Sequence, residues 1–290
     1  MNNIGDWQFY NHAWVPSVEP HTVPDLAPLA GGELFKQGGV LARYTTQFDC
    51  GNETEWWYII KDKPFDISEL KSKHRYVIKQ GEKNFETKLI NPLHYKEDIF
   101  QVATAAFADY PKKYRPQLQK DKFMNDIEEW SAGGGVFVYG AFVRNNGVLA
   151  GYAVLSKENR CLHFSILKTM PIYEKMQVNA ALVYKILKDF EIELTNGYYI
   201  CDGARNIQHQ THFPEYLEKY FGFRKAYCRL HVAYAPKYKR LIKLVYPFRK
   251  LLHLFDGITK VHQLNGVLKM EEIVRRQESE NGKHSRAKQV

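Results

Sequence analysis

The sequence predicts a mixed α/β fold, on three observations. Segments with helical spacing come first, at 94–109 and 117–131, and an apolar hairpin, a third strand, helix, strand, helix and strand follow up to residue 233. The hairpin is the sharpest local signal, because the apolar runs 136–144 and 148–155 flank Asn145-Asn146-Gly147, a tight-turn sequence. Apolar residues make up 44% of the 290 and aromatics 14%, enough to fill a core and line a cleft, which excludes a chain disordered throughout.

Residues 1–39 read as an extended arm. Pro16, Pro20, Pro24 and Pro28 recur every four residues and remove backbone donors, while Gly31-Gly32 and Gly38-Gly39 add turns. Residues 40–84 form a strand-rich extension, with strands at 40–48 and 55–60 and a basic cluster at 71–79; a partial second copy of the main domain is open here. In the second strand Trp56 and Trp57 point to opposite faces, one for the core and one, Trp57, for a substrate.

The main domain is expected at 85–235. A short strand at 86–90 precedes the two helices, and Gly133-Gly134-Gly135 turns the chain into the hairpin. A strand at 161–167, a polar loop at 171–178 and a helix at 179–190 follow, the helix carrying Ala181, Leu182, Tyr184, Ile186 and Leu187 at helical spacing. After Asn196-Gly197 come a strand at 198–201, a helix at 214–221 and a long strand at 223–233. Residues 236–274 read as basic amphipathic helices, and 275–290 as a polar, disordered tail.

The formal charge of +9 is uneven. Between residues 234 and 262 seven basic residues face one acid, Asp256, interleaved with leucine, isoleucine and phenylalanine. Two readings stand: peripheral contact of 237–255 with an anionic membrane surface, or helices that pack their apolar side on the body. Cys50, Cys161, Cys201 and Cys228 form no Cys-x-x-Cys pair, and no charged-then-apolar leader opens the sequence, so the expected compartment is the cytoplasm, with the inner membrane face as a docking place. No run of 18 apolar residues is present, so no membrane span is expected.

Three stretches carry a resemblance: Leu167-Lys-Thr-Met-Pro171-Ile-Tyr173-Glu-Lys-Met-Gln-Val178-Asn-Ala-Ala-Leu182, Tyr199-Ile-Cys-Asp202-Gly-Ala-Arg205-Asn206-Ile-Gln-His209-Gln-Thr-His212, and Tyr216-Leu-Glu218-Lys-Tyr220-Phe-Gly222-Phe223. With the element order, they resemble the GNAT superfamily of N-acyltransferases over 87–234, about half the chain, and within it the Fem-like group associated with polysaccharide biosynthesis. The resemblance implies the GNAT fold, with an N-terminal extension and C-terminal basic helices around it. It implies transfer of an acyl group, acetyl foremost, from acyl-CoA to an amine such as an amino sugar. A Fem-like transfer from aminoacyl-tRNA and a non-catalytic binding module are the alternatives. No metal is implied: His209 and His212 are three apart and lack an evident third ligand.

In the family a strand splays before a loop and helix that hold coenzyme A, which assigns donor binding to Ile166, Leu167, Lys168, Lys175, Met176, Gln177, Val178, Asn179 and Ala180. Where the family has an Arg/Gln-x-x-Gly-x-Gly/Ala loop, Glu174, Gln177 and Asn179 stand here, which leaves Lys175 to supply positive charge. Asp202 and His209 are candidate general bases, and Asp202 before Gly203 also suits a turn. The family's closing Tyr-x-x-x-Gly-Phe segment supplies a tyrosine acid to the leaving thiolate. Its position holds Glu218, with Tyr216 and Tyr220 on either side, so all three are candidates. Arg205 and Asn206 are assigned to the acceptor. Cys201 reads as a small buried hydrophobe rather than a nucleophile.

Overall fold

Gly147 closes the hairpin as the turn sequence requires. In the computed structural model of the protein, which describes residues 3–110, 115–207 and 212–287, with side chains to residue 280, Gly147 takes φ +70° and its N–H donates to the Val143 carbonyl at 2.8 Å. Asn146 Oδ1 accepts from the Val148 N–H at 3.1 Å.

In chain order the elements are β1 (Asn3–Ile4), β2 (Trp7–Tyr10), β3 (Ala13–Pro16), α1 (Ala27–Ala30), α2 (Glu33–Lys36), β4 (Leu41–Thr46), β5 (Trp57–Lys61), α3 (Ser72–Asn84), β6 (Phe85–Leu89), α4 (Lys96–Ala108) and α5 (Lys120–Ala132). Then come β7 (Val136–Val143), β8 (Leu149–Glu158), β9 (Cys161–Thr169), α6 (Val178–Asp189), α7 (Glu191–Thr195), β10 (Tyr199–Ala204), α8 (Phe213–Phe221), β11 (Arg224–Tyr227), β12 (Arg229–Tyr234), α9 (Pro236–Val245), α10 (Arg249–His253) and α11 (Thr259–Ala287). One sheet runs β1-β2-β3-β4-β12 and the other β11-β5-β10-β9-β8-β7-β6. The chain forms two compact units. The first comprises Met1–Ile59, Ala204–His212 and Lys225–Val290, and the second Ile60–Gly203 and Phe213–Arg224.

In the first unit, the stretch expected as an extended arm is a β-meander. Asn11 and His12, both at positive φ, turn β2 into β3. Trp7 and Trp14 are fully buried against Leu34 and Ala42, and their indole N–H groups donate to the Asp25 and Gly38 carbonyls at 2.7 and 3.0 Å. The prolines do not oppose this, because Pro16 ends β3 and Pro28 sits in the first turn of α1. The strand expected at 223–233 is broken at Cys228, whose N–H donates to the Trp56 carbonyl at 3.0 Å, so β11 and β12 join different sheets. The polar tail continues as helix to Ala287.

In the second unit β6, β7, β8 and β9 pair antiparallel, and β10 pairs parallel with β9. Tyr152 and Val154 of β8 meet Ile99, Val102, Phe123 and Ile127 of α4 and α5. On the opposite face Gly151 admits α6, since a Cβ there would lie 2.6 Å from Thr169 Cγ2 and 3.2 Å from Leu182 Cδ1. The loop expected at 171–178 is tighter than expected: Pro171–Met176 is a 3-10 turn, and Gln177 takes φ 69° before α6 begins.

The basic cluster at 71–79 is part of α3, and Gly81 near its end is a contact point. A Cβ at Gly81 would lie 2.8 Å from the Gln177 carbonyl oxygen and 2.9 Å from the Ala181 nitrogen. Asn84 Nδ2 donates to the Met176 carbonyl at 3.0 Å. This close approach sets the start of α6. Alanine at Gly81 would gain about 1 kcal/mol of helix propensity and lose about 1–3 kcal/mol to overpacking against backbone that cannot step aside. Gly81→Ala is therefore expected to lower the urea midpoint; an unchanged or raised midpoint rules out the tight contact.

Candidate active site

Where β9 and β10 part, the second unit exposes its polar backbone. The parallel register runs Tyr199↔Cys161, Ile200↔Leu162 and Cys201↔His163 and stops, although β9 continues to Thr169 and β10 to Ala204. β9 also bulges: Val154 pairs with Ile166 and Leu155 with Phe164, leaving Ser165 as the extra, exposed residue. The Met170 N–H donates to the Ala150 carbonyl at 2.8 Å. Strand alternation carried back from it turns the amides of Lys168 and Ile166 toward β8, and those of Leu167 and Thr169 toward the side of β10.

This separates the three β9 residues expected to hold a donor. Leu167 presents its amide to the gap. Ile166 instead packs on the core beneath α4 and α5. Lys168 sends its ammonium to the Tyr110 hydroxyl at 3.0 Å, over the Phe107 and Tyr110 rings at 4.7 and 5.3 Å. An aromatic clamp, rather than a phosphate, therefore occupies that cation.

At the start of α6, Val178 and Ala180 are fully buried, backbone as well as side chain, so neither is open to a ligand as the helix stands. Asn179 Oδ1 accepts from the Thr169 hydroxyl at 3.4 Å, which ties the helix start to the end of β9. Lys175 and Glu174 are exposed, Met176 and Gln177 half-buried, and α3 covers the Met176 and Gln177 carbonyls. At the surface of this turn a pyrophosphate would meet one cation and one carboxylate side by side, at the positive end of the α6 dipole.

Asp202 follows the last paired residue of β10. Among the described residues no group hydrogen-bonds to its carboxylate, and burial, followed by the neighbouring Cys201, pushes its pKa up to about 7. Cys201 is 1% exposed. Hydrogen bonding with Cys161 and His163 and from the Gly203 N–H, the last at 3.3 Å, holds its thiol below the ordinary value against burial. It is enclosed, as a small hydrophobe would be, and it is also polarised. His209 lies outside the described residues, and His212 is exposed. Among the described residues no cluster of three or more His, Cys, Asp or Glu side chains suits a metal.

Helix α8 buries Leu217 and Phe221 and turns Tyr216 and Tyr220 to a shared side, four residues apart. Their rings are 4.9 Å apart, and Phe213 stacks on Tyr216 at 6.0 Å. The Tyr216 hydroxyl is buried and has no hydrogen-bond partner among the described residues, and burial raises its pKa. Tyr220 meets the His74 ring of α3 at 4.8 Å. Glu218 is half-buried in the same helix, off the Tyr216–Tyr220 side.

The residues assigned to the acceptor lie in the first unit. Trp56 is 1% exposed beneath the Arg43 guanidinium, and Trp57 is partly exposed with Lys225 Nζ 5.2 Å from its ring, the division that two adjacent strand residues require. Asn206 is exposed. Arg205 donates from its guanidinium to the Glu55 carbonyl and lines a cavity of about 520 Å³ with Arg249, Lys250, Lys269, Asp256 and Glu272. Two features escaped the sequence reading. The Ser165 bulge leaves no mark on an apolar run. Lys61, 6% exposed with burial lowering its pKa, ends the apolar β5, and a lysine closing such a run was the available signal.

No protein-family model matches the chain, and no curated protein matches it. Among solved structures, the C-terminal domain of a putative lysylphosphatidylglycerol synthetase from Agrobacterium fabrum is similar over 82% of this chain and 82% of its own, at 10% identity and TM-score 0.50. L-PGS from Bacillus licheniformis is similar over 79% of each chain, at 11% identity and TM-score 0.47. PaiA N-acetyltransferase from Thermoplasma acidophilum, in complex with coenzyme A, covers 39% of this chain and 74% of its own, at 19% identity and TM-score 0.31. At such identities the likeness is one of fold, the mixed α/β fold of GNAT acyltransferases, and it does not single out the Fem-like group.

The Asp202 environment has a consequence for stability. The folded chain holds this proton up to about pH 7, whereas the unfolded chain releases it near 3.8. Stability therefore falls as pH rises through that window. A carboxamide at this position does not ionise. Asp202→Asn is expected to gain stability over the parent between about pH 4 and pH 8, by at most about 4 kcal/mol, in paired urea titrations. A difference that does not change with pH excludes the buried, protonated carboxyl.

Proposed function

We propose that the second unit is an N-acyltransferase that takes an acyl thioester in the gap where β9 leaves β10. The observation that carries this reading is the Asp202 carboxylate, without a hydrogen-bond partner among the described residues and raised to about 7, one residue beyond the last β9–β10 pair. Support comes from the outward amides of Leu167 and Thr169 and from the fold shared with the Agrobacterium fabrum domain. Of the structures compared, one is bound to coenzyme A and one is named a putative lysylphosphatidylglycerol synthetase, so the donor and the acceptor both need assay.

In this reading the Leu167 amide, aimed into the gap, donates to the thioester oxygen as it gains charge. Asp202 takes a proton from the acceptor ammonium, and the freed amine attacks the carbonyl carbon. The C–S bond breaks, the Tyr216 hydroxyl, buried and without a hydrogen-bond partner among the described residues, donates to the departing thiolate, and the surplus proton on the new amide nitrogen returns through solvent to the Tyr216 oxygen, leaving amide, thiol and the proton held by Asp202. The acceptor is proposed as an amine, an amino sugar being the first to assay, and the acyl group as acetyl.

A specific observation favours a second donor, an aminoacyl ester on tRNA. Glu174 and Gln177 stand in the loop before α6, and Gly81 of α3 packs on the Gln177 carbonyl, which narrows the room for a pyrophosphate. Calorimetric titration with acetyl-CoA separates the two: heat of binding favours the thioester, and no heat together with a gel shift of aminoacyl-tRNA favours the ester. Neither signal would sink both.

Two outcomes follow for whichever donor binds. The base must be unprotonated, so kcat/KM is expected to rise with pH through about 7, and Asp202→Asn to lose that limb with a roughly 10²–10⁴-fold fall in rate. A full rate in the variant removes Asp202 from the chemistry. Tyr216→Phe deletes a hydroxyl that makes no hydrogen bond among the described residues, so its melting temperature should hold while turnover falls tenfold or more, about 1.4 kcal/mol of barrier. Parallel losses of stability and rate would instead assign the ring to packing.

A further inference from the structure

Seven of the sixteen large hydrophobic side chains that are exposed among the described residues fall between residues 241 and 258. They are Leu241, Leu244, Phe248, Leu251, Leu254, Phe255 and Ile258; the first five are three or four apart from α9 through the turn at Tyr246–Phe248 to the residue that ends α10, Phe255 and Ile258 lie in the turn beyond it, and each is 47–78% exposed. Scattered exposed leucines are ordinary, but a run with helical spacing is a face. The segment does not need that face to hold its place. Its inner side is seated by buried Ile242, by Arg249 over the Tyr246 ring at 4.3 Å and 3.5 Å from Glu272, and by Asn265 Nδ2, which donates to the Leu252 carbonyl at 3.3 Å.

The charge around the face is of one sign. Lys237, Lys239, Arg240, Lys243 and Lys250 are exposed, and no acid occurs from 237 to 255. Lys250 also lines the cavity described above, where Arg205, Arg249 and Lys269 outnumber Asp256 and Glu272. A second copy of the chain would bring the same cations to the same face and be repelled. No helix among the described residues is long and apolar enough to cross a membrane. Exposed apolar side chains bordered by lysine and arginine, on a helix too short to span, match the interface of an anionic bilayer.

We propose that the α9–α10 segment is a docking surface for an anionic lipid bilayer, with Leu244, Phe248, Leu251 and Leu254 entering the acyl boundary and the flanking cations meeting headgroup phosphates. The proposal is independent of the chemistry proposed for the second unit.

The test is co-sedimentation of the full chain with phosphatidylcholine vesicles, with and without phosphatidylserine, at low and high salt. Binding is expected only with phosphatidylserine and should weaken with salt. Each exposed cation contributes about fivefold to partition, so changing the five to Gln is expected to cost more than about a hundredfold. Leu244→Ser, Leu251→Ser and Leu254→Ser together are expected to cost at least tenfold at unchanged melting temperature, while Ile192→Ser, exposed elsewhere, leaves binding as it was. The proposal is overturned if the parent ignores anionic vesicles, if either multiple variant binds as well as the parent, or if the apolar substitutions instead dissolve a dimer or a complex with another protein.

Discussion

A parallel ladder that lasts three residues and then fails is the constraint on which the second unit depends. Up to Cys201↔His163 the strands β9 and β10 satisfy each other's backbone; beyond it β9 carries the Ser165 bulge and turns the Leu167 and Thr169 amides toward the side of β10. A buried amide without a partner is costly, so such a parting persists only where solvent or a ligand can take the donors. The same end of β10 partly withdraws Asp202 from water without giving it a donor among the described residues, and its proton affinity rises accordingly.

Placement of α6 is equally tight. Gly151 lets Leu182 and Thr169 close on β8, and Gly81 lets α3 settle on the first turn of the helix. At Gly81 the approach is backbone to backbone, at Gly151 it is side chains of Thr169 and Leu182 on bare backbone, and a Cβ at either would prop it open. The helix start is thus fixed in a left-handed Gln177 and a 3-10 turn rather than in a glycine-rich loop.

The first unit is organised by charge as much as by its tryptophan core. Glu55 and Glu272 gather Arg249, Lys269 and Arg276 into one network that seats α11 and the α9–α10 segment. These partly exposed pairs contribute little stability one by one, but together they align cations around a cavity and leave the lysines of α9 to solvent. The sequence left two readings of that basic, apolar stretch. The structure divides them by side, with Ile242 inward and Leu244, Leu251 and Leu254 outward.

What the sequence by itself determined was local. The Asn145-Asn146-Gly147 turn, the helices over 94–109 and 117–131, and the helix after Pro171 follow from contacts within a few residues, and their order was enough for the fold class. It also marked Asp202 as a candidate by the polar and titratable residues around it, and Tyr216 through the resemblance of its segment to the GNAT closing segment. The arm at 1–39 was misread because proline spacing is visible in a sequence, whereas the burial of Trp7 and Trp14 against Leu34 and Ala42 is not. Only the tertiary structure decided that Lys168 is held by Phe107 and Tyr110, that Gly81 is a contact point, that Asp202 has no donor among the described residues, and that β9 bulges at Ser165. Each depends on which distant backbone or ring comes within a few ångströms, and periodicity along one strand or helix carries no record of that.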